Sequence, residues 1–410
     1  MPEKEVIIIG GGAAGLAAAV ACKQKGIEDI LIIERGAYLG GILNQCIHDG
    51  FGLEKFHTSL TGPEYAQRYI DQVMDKKIPF LLNSMVLNLT PQKEVIVVNH
   101  HVLQHYWGKV VILAMGCRER TRGAIGIPGA RPAGIYTAGV AQELINLKNY
   151  MVGEKIVVLG SGDIGMIMAR RLTLEGAEVV LVAEKLPYSS GLPRNINQCL
   201  YDFDIPLLLS HTVIDIEGNG RLSGVTIAQL GKRGGIIPGS KRKVACDTLL
   251  LSVGLIPENE LSREAGIILD NITGGPQVDE RGQTNISGIF VCGNVLQVHD
   301  IVDNVSLESE YIVEGVAEYL EGKLANEQEI EVELGKGLRY VVPQTLHILK
   351  DTIFSFRVNQ PGEKKVLIFE DGKKAIKKKS FPRVNPAEMI RIKLTSQELK
   401  SIKSIKVRLV

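Results

Sequence analysis

Along the first part of the chain, apolar residues come in unbroken runs rather than in alternation. "EVIIIGGGAAGLAAAVACKQKG" reads as a short apolar strand, a glycine turn and an alanine-rich helix, and "DILIIERG" as the next strand. A strand with no polar alternation is buried on both faces, as in a parallel sheet covered by helices. The plan returns at 155–185 in "KIVVLGSGDIGMIMARRLTLEGAEVVLVAEK", a duplicated strand–helix–strand unit. "WGKVVILAMGCRER" (107–120) and "CDTLLLSVGLIPENE" (246–260) are buried strands ending in glycine. Residues 283–322 read as a strand, a Gly-Asn turn and a long helix. After about residue 330 the glycine turns give way to alternating strands, with a hairpin signal at Asp371-Gly372. The expected fold is α/β: two Rossmann-like units, the second inserted in the first, and a small β-rich C-terminal domain.

Composition narrows this picture. At 410 residues, 45% hydrophobic and 23% charged, the chain suits two or three domains with large cores. A net charge of +1 gives no whole-chain argument for nucleic acid or an acidic membrane. Residues 351–410, however, hold 15 Lys and Arg against 6 Asp and Glu, a local charge of +9, so the rest sums to −8. Val6 to Cys22 is an uncharged run of 17 residues, short and glycine-rich for a membrane span and without signal-peptide features. Six cysteines (22, 46, 117, 199, 246, 292) form no C-x-x-C, which argues against a disulfide scaffold or a zinc site. A reduced, cytoplasmic protein is expected, reaching a membrane only peripherally through a partner.

The chemistry enters at the glycine turns. Gly10-x-Gly12-x-x-Gly15 follows a strand and opens a helix, and Glu34 ends the next strand. The first glycine permits the tight turn, the second lets backbone approach a pyrophosphate, and the third lets the helix pack on the sheet. The acid accepts hydrogen bonds from a ribose diol. Gly160-x-Gly162-x-x-Gly165 with Glu184 repeats the pattern. A carboxylate at 184 repels a 2′-phosphate, so NAD is expected over NADP, although Lys185 follows directly.

With these motifs the chain resembles the two-dinucleotide-binding-domain flavoproteins, the pyridine nucleotide–disulfide oxidoreductase superfamily, over residues 1–328. "VVILAMGCRER", "TLLLSVGLIPENE" and "GIFVCGN" are similar to three further strand motifs of that family. The resemblance implies an FAD domain at 1–118 and 256–328, an NAD(P) domain at 119–255 and a separate domain at 329–410. It implies FAD contacts at Gly10, Gly12, Ala13, Ala14, Gly15, Glu34, Arg35, Gly41, Ile42, Val86, Ala114, Met115, Gly116, Gly293 and Asn294. It implies nicotinamide dinucleotide contacts at Gly160, Gly162, Asp163, Ile164, Gly165, Glu184 and Gly254. The family's final motif ends in Asp, which holds the flavin ribityl chain; here Asn294 stands there and brings no charge. "GGILNQCIHDGFG", "MGCRER" and the β-rich tail resemble a bacterial subgroup that accompanies a glycerol-3-phosphate dehydrogenase-like flavoprotein. They also resemble FAD/NAD subunits of opine oxidases, hydrogen cyanide synthase and dye-linked proline dehydrogenase.

Disulfide reductases of the superfamily set two cysteines against the flavin, because a disulfide takes two electrons. Cys46 stands alone in its stretch. Three readings remain open for Cys46 and His48: packing and a backbone hydrogen bond, lining and tuning the flavin, or a peroxidatic thiol. Arg118, Arg120, Arg122 and Arg194 read as solvated loop residues or as anion-steering groups. His299 follows the Gly-Asn turn, where a side chain can face the flavin. The lysines of "KKAIKKK" (373–379) read as a solvated hairpin face or a dock for an acidic partner. No metal site is expected. The resulting function is a flavin oxidoreductase passing electrons between NAD(H) and a partner redox protein, within a homo- or hetero-oligomer. The alternatives are a stand-alone NADH oxidase or quinone/dye reductase, and a non-catalytic FAD-binding subunit.

Overall fold

A computed structural model describes residues 3–323, 329–347, 350–372, 374–400 and 402–410. The chain divides into two compact units: Met1–Cys117 with Pro257–Val410, and Arg118–Ile256.

In the first unit, β1 (Glu3–Ile9), β2 (Ile30–Ile33), β3 (Phe80–Leu81), β4 (Met85–Leu89), β5 (Glu94–Val98) and β6 (Leu103–Leu113) lie in the order β3-β2-β1-β6-β5-β4, and the strand Ile289–Val291 joins β6. β1 runs parallel to both neighbours, with Ile7 opposite Leu31 and Val111. The unbroken apolar runs follow from this. Val6, Ile8, Ile30, Ile32, Val110 and Ile112 face α1 (Ala13–Gln24), α2 (Gly62–Asp75) and the helix Val302–Leu320. Ile7, Ile9, Leu31, Ile33, Val111 and Leu113 face the opposite way, onto the β4–β5 meander and onto Tyr340 and Val342 of the C-terminal region. Each residue is thus buried whichever face it takes.

The C-terminal region forms a five-stranded and a three-stranded sheet around its own core, in which Phe369 stacks edge-on against Phe354 and Phe356 at 5.4 and 5.6 Å. The hairpin at Asp371-Gly372 joins the two strands Gly362–Asp371 and Lys374–Val384; Lys373 lies outside the described residues. The second unit carries a five-stranded parallel sheet and a three-stranded antiparallel one. The expected α/β architecture is the one observed.

The sequence gives no hint of a buried charge cluster that, within the first unit, joins His347 to the segment Asp279–Arg281. Arg281 and Asp279 are almost fully buried, and Arg281 Nη2 and Nε donate to Asp279 Oδ2 at 2.7 and 2.9 Å. His347 donates its backbone N–H to Glu280 (2.8 Å), and its ring lies 3.4 Å from Asp279. Donor atoms of Asp279, Glu280 and His347 lie within 4.8 Å of one another, the spacing of a metal site, but the cation among them is Arg281.

Removing one partner of such a pair leaves an uncompensated buried charge. Arg281→Met is therefore expected to destabilise the first unit by about 3–5 kcal/mol, read from urea unfolding followed by circular dichroism. Asp279, chiefly, holds the His347 imidazole above its ordinary value. The stabilisation from that raised value is fully present below the unfolded value of about 6.5 and is lost as pH rises through the folded one. Wild type is thus expected to lose stability relative to His347→Gln as pH rises, checked by melting both between pH 6 and 9; parallel profiles would exclude the linkage.

Candidate functional sites

β1 ends at Ile9, and the chain turns into α1 within three residues. The turn demands glycine. Gly10 has φ +111°, and a Cβ there would sit 2.4 Å from the Ala114 carbonyl; one at Gly15 would sit 1.8 Å from the Gly10 carbonyl. At Gly12 a Cβ would meet nothing closer than Gly41 Cα at 3.9 Å. The contacts are tight under the turn and open above it. α1 has neither a side-chain cap nor an acid in its first turn, so Ala13 and Ala14 open a helix end suited to an anion. These residues fit a dinucleotide pyrophosphate.

The other flavin candidates gather around this turn. Glu34 accepts from the backbone N–H of Gly11 (2.7 Å) and Gly36 (2.6 Å), which holds its carboxylate at the end of β2. Arg35 is exposed and lies 3.6 Å from Glu258. Gly40 donates to the Gly11 carbonyl at 2.8 Å, which brings Gly41 and the exposed Ile42 to the same turn. Val86 departs from the rest: its side chain is buried in the meander core, and it pairs with Val97 in the β4–β5 ladder. Ala114, Met115 and Gly116 follow β6, with Ala114 and Met115 beside Gly10. Gly293, at φ +72°, packs against α1, since a Cβ there would lie 2.7 Å from the Ala14 Cβ. The Gly293–Asn294 turn therefore belongs to the same cluster.

Sequence reasoning missed Glu308. It accepts from Gly293 N (2.8 Å) and Gln297 Nε2 (2.7 Å), and lies 3.1 Å from His299 Nε2. His299 N donates to Asn294 Oδ1 at 3.0 Å, and Asn294 Nδ2 points to Cys117 Sγ at 3.7 Å. The available signal was an acid on the spacing Val305, Glu308, Ile312, Val316, the apolar face of its helix.

Cys46 packs beneath α2. Its carbonyl accepts from Gly62 N at 2.8 Å, and a Cβ at Gly62 would lie 2.7 Å from its own. The thiol donates to Ile42 O at 3.3 Å, and burial pushes it up to about 12. At neutral pH it is a thiol, not a nucleophilic thiolate. His48 lies 4.9 Å from the Phe51 ring.

The second unit repeats the turn. Gly160 has φ +95°, and its Cβ would strike the Ser252 carbonyl at 2.0 Å; Gly165 N donates to Ser252 Oγ at 3.2 Å. Glu184 matches Glu34: it accepts from Ser161 N and Leu186 N, each at 2.9 Å. Two hydroxyls add to it, Ser161 Oγ at 2.6 Å and Ser190 Oγ at 2.9 Å, and Glu184 is only 4% exposed where Glu34 is half-buried. Asp163, before Ile164, accepts from Leu192 N (2.8 Å) and Asn195 Nδ2 (2.6 Å), tying the 186–195 loop to the turn. Gly254 has φ +103° at the end of its strand. Arg122 donates to the carbonyls of Ile127, Gly129 and Ala130 and so braces its own loop. Arg194 is exposed.

A model of the pyridine nucleotide-disulphide oxidoreductases matches residues 4–312. The chain is 24% identical to an NAD(P)H coenzyme A polysulfide/persulfide reductase of Pyrococcus horikoshii, over 73% of this chain and 64% of that one. It is 26% identical to hydrogen cyanide synthase subunit HcnB of Pseudomonas protegens, over 64% of this chain and 58% of that one. The chain thus spans less than two thirds of the length of these relatives. Among solved structures, the fold matches the T. acidophilum thioredoxin reductase with a TM-score of 0.64 at 20% identity, over 78% of this chain and 99% of that one.

Charged hydrogen bonds of the kind Glu34 offers contribute about 1.5–3 kcal/mol. Glu34→Ala is expected to weaken FAD binding by about one to two orders of magnitude, measured by equilibrium dialysis; an unchanged affinity would remove Glu34 from the site. Cys46→Ala is expected to leave NADH-driven flavin reduction within about twofold of wild type, since a protonated thiol takes no part as a nucleophile.

Proposed function

The chain belongs to the pyridine nucleotide-disulphide oxidoreductase family, and from that premise we propose that it moves electrons between NAD(H) and a partner redox protein. It is an FAD- and NAD(P)H-dependent oxidoreductase. In the proposed arrangement FAD lies along the Gly10–Gly15 turn, with Glu34 on its ribose and Gly293–Asn294 on its ribityl chain. The nicotinamide dinucleotide lies along Gly160–Gly165. Once bound, FAD supplies the two-electron redox chemistry, and the protein supplies binding and orientation. NAD is preferred over NADP because Glu184 is fixed by four hydrogen bonds and cannot swing away from a 2′-phosphate.

The observation that carries the proposed route is the state of Cys46. It stands in the stretch where the resembling disulfide reductases carry their cysteine pair, and its thiol donates to Ile42 O and is held protonated by burial. Cys22 and Cys292 sit in the sheet–helix core, with both thiols pushed up to about 12 by burial. With the thiols of Cys46, Cys22 and Cys292 held protonated, the proposed route has electrons leave the flavin directly. The resemblance to the subgroup supports a glycerol-3-phosphate dehydrogenase-like flavoprotein as the acceptor or donor. Similarity to a hydrogen cyanide synthase subunit supports an assembly with another chain. Lys374, Lys378 and Lys379 are exposed on the outer strand of the five-stranded sheet and suit an acidic docking surface, although lysines also serve to block edge pairing. Among the described residues no helix is long and apolar enough to cross a membrane, so any membrane attachment would come through the partner.

Anaerobic titration of the FAD-loaded protein with NADH is expected to bleach the flavin absorbance, and slow reoxidation on admitting air is expected for a partner-linked enzyme. Fast reoxidation would favour the oxidase or dye-reductase reading. A flavin left oxidised by both NADH and NADPH would contradict the proposed transfer and leave a structural subunit.

A further inference from the structure

Six buried side-chain polar atoms are without a hydrogen-bond partner among the described residues, and four lie between Gln297 and Asp303. They are Gln297 Oε1, His299 Nδ1, Asp300 Oδ1 and Asp303 Oδ1. Buried polar groups are normally paired, so such a concentration marks a segment built for more than packing. The segment leads from the Gly293–Asn294 turn into the helix Val302–Leu320.

At its centre is Glu308. An apolar residue at this position would complete the helix face formed by Val305, Ile312 and Val316 at no electrostatic cost. A carboxylate there must be paired, and it is paired to one purpose. It takes the N–H of Gly293, the amide of Gln297 and the ring of His299. Burial pushes its carboxyl up, but His299, Gln297 and the Gly293 N–H outweigh burial and hold it below the usual carboxylate range. His299 is 1% exposed in its side chain, and its main-chain N–H fixes Asn294. One carboxylate thus anchors both residues of the turn, Gly293 directly and Asn294 through His299.

We propose that Glu308 supplies from the helix the negative charge that Asn294 lacks, and that Glu308 and His299 act as positioning residues for the FAD-binding turn. This rests on the reading that FAD binds at Gly293–Asn294. In the resembling family an acid occupies the position of Asn294; here the acid is moved one layer back, behind the Gly293 N–H. The Asn294 amide accepts from His299 N and donates to Cys117 Sγ, and the charge of Glu308 acts through the turn so held. A fixed negative charge near a redox group disfavours its electron-rich state.

The test compares wild type, Glu308→Gln, Asn294→Asp and the double variant, all loaded with FAD. The readouts are the flavin midpoint potential, the FAD dissociation constant and the melting temperature of the unloaded chain. Glu308→Gln keeps the shape of the side chain and removes its charge. It is expected to raise the midpoint potential and to weaken FAD binding about tenfold, equivalent to about 1.4 kcal/mol, with an unchanged melt. The double variant, with a charge restored at 294, is expected to bring both back towards wild type. His299→Gln, which keeps the main-chain N–H, is expected to shift the potential and leave the melt unchanged; it serves as the second variant if Glu308→Gln does not fold. Wild-type potential and affinity in Glu308→Gln, or no recovery in the double variant, would overturn the proposal while leaving FAD binding intact. A wild-type chain that takes up no FAD would overturn the reading beneath it, and the proposal with it.

Discussion

The molecule depends on a steric constraint: a strand must become a helix within three residues while its backbone stays open to an anion. A Cβ at Gly15 would sit 1.8 Å from the Gly10 carbonyl, so no other residue lets α1 lie so close to β1. The same limit recurs at Gly160 against the Ser252 carbonyl. Once the turn is set, the helix end faces outward with unbonded N–H groups, and the following strand must end beside it. Glu34 and Glu184 then take the same two backbone bonds, one to the glycine turn and one to the residue two places on. The duplication seen in the sequence is therefore a duplication of physics as well as of pattern.

Burial decides the chemistry around the first turn. Cys46 sits where a redox thiol would be sought, yet it packs against Gly62 and stays protonated. Glu308 is only 12% exposed in its side chain yet stays ionised, because three donors converge on it. One group is silenced by its surroundings and the other is sustained by them. The difference lies in donors: a thiol pressed against carbonyls gains nothing from losing its proton, whereas a carboxylate facing two N–H groups and an imidazole does.

What could be read in the chain follows from the range of the forces involved. The two glycine turns, the apolar strands and the Asp371-Gly372 hairpin were legible because each is dictated by neighbours within a few residues. So was the β-rich tail, from its alternation. The packing of Tyr340 and Val342 onto the sheet was not, since it joins segments that no local pattern relates. The run Asp279-Glu280-Arg281 carries no local hydrophobic pattern, and its burial appears only when His347 is brought beside it. Glu308 was hidden for a similar reason: its partners lie in an irregular turn with no periodicity. Val86 was named for the ligand and belongs by its side chain to the core.

The family and the protonated thiol of Cys46 underlie the proposal that electrons are held on the flavin rather than on a dithiol. Counting electrons tests this most directly. Anaerobic dithionite titration of the FAD-loaded chain, followed at the flavin absorbance and by thiol quantification, gives the number of reducing equivalents taken up. Two electrons per FAD, with an unchanged thiol count, is the expected result. Four electrons, with two thiols appearing, would contradict it and place a disulfide in the electron path.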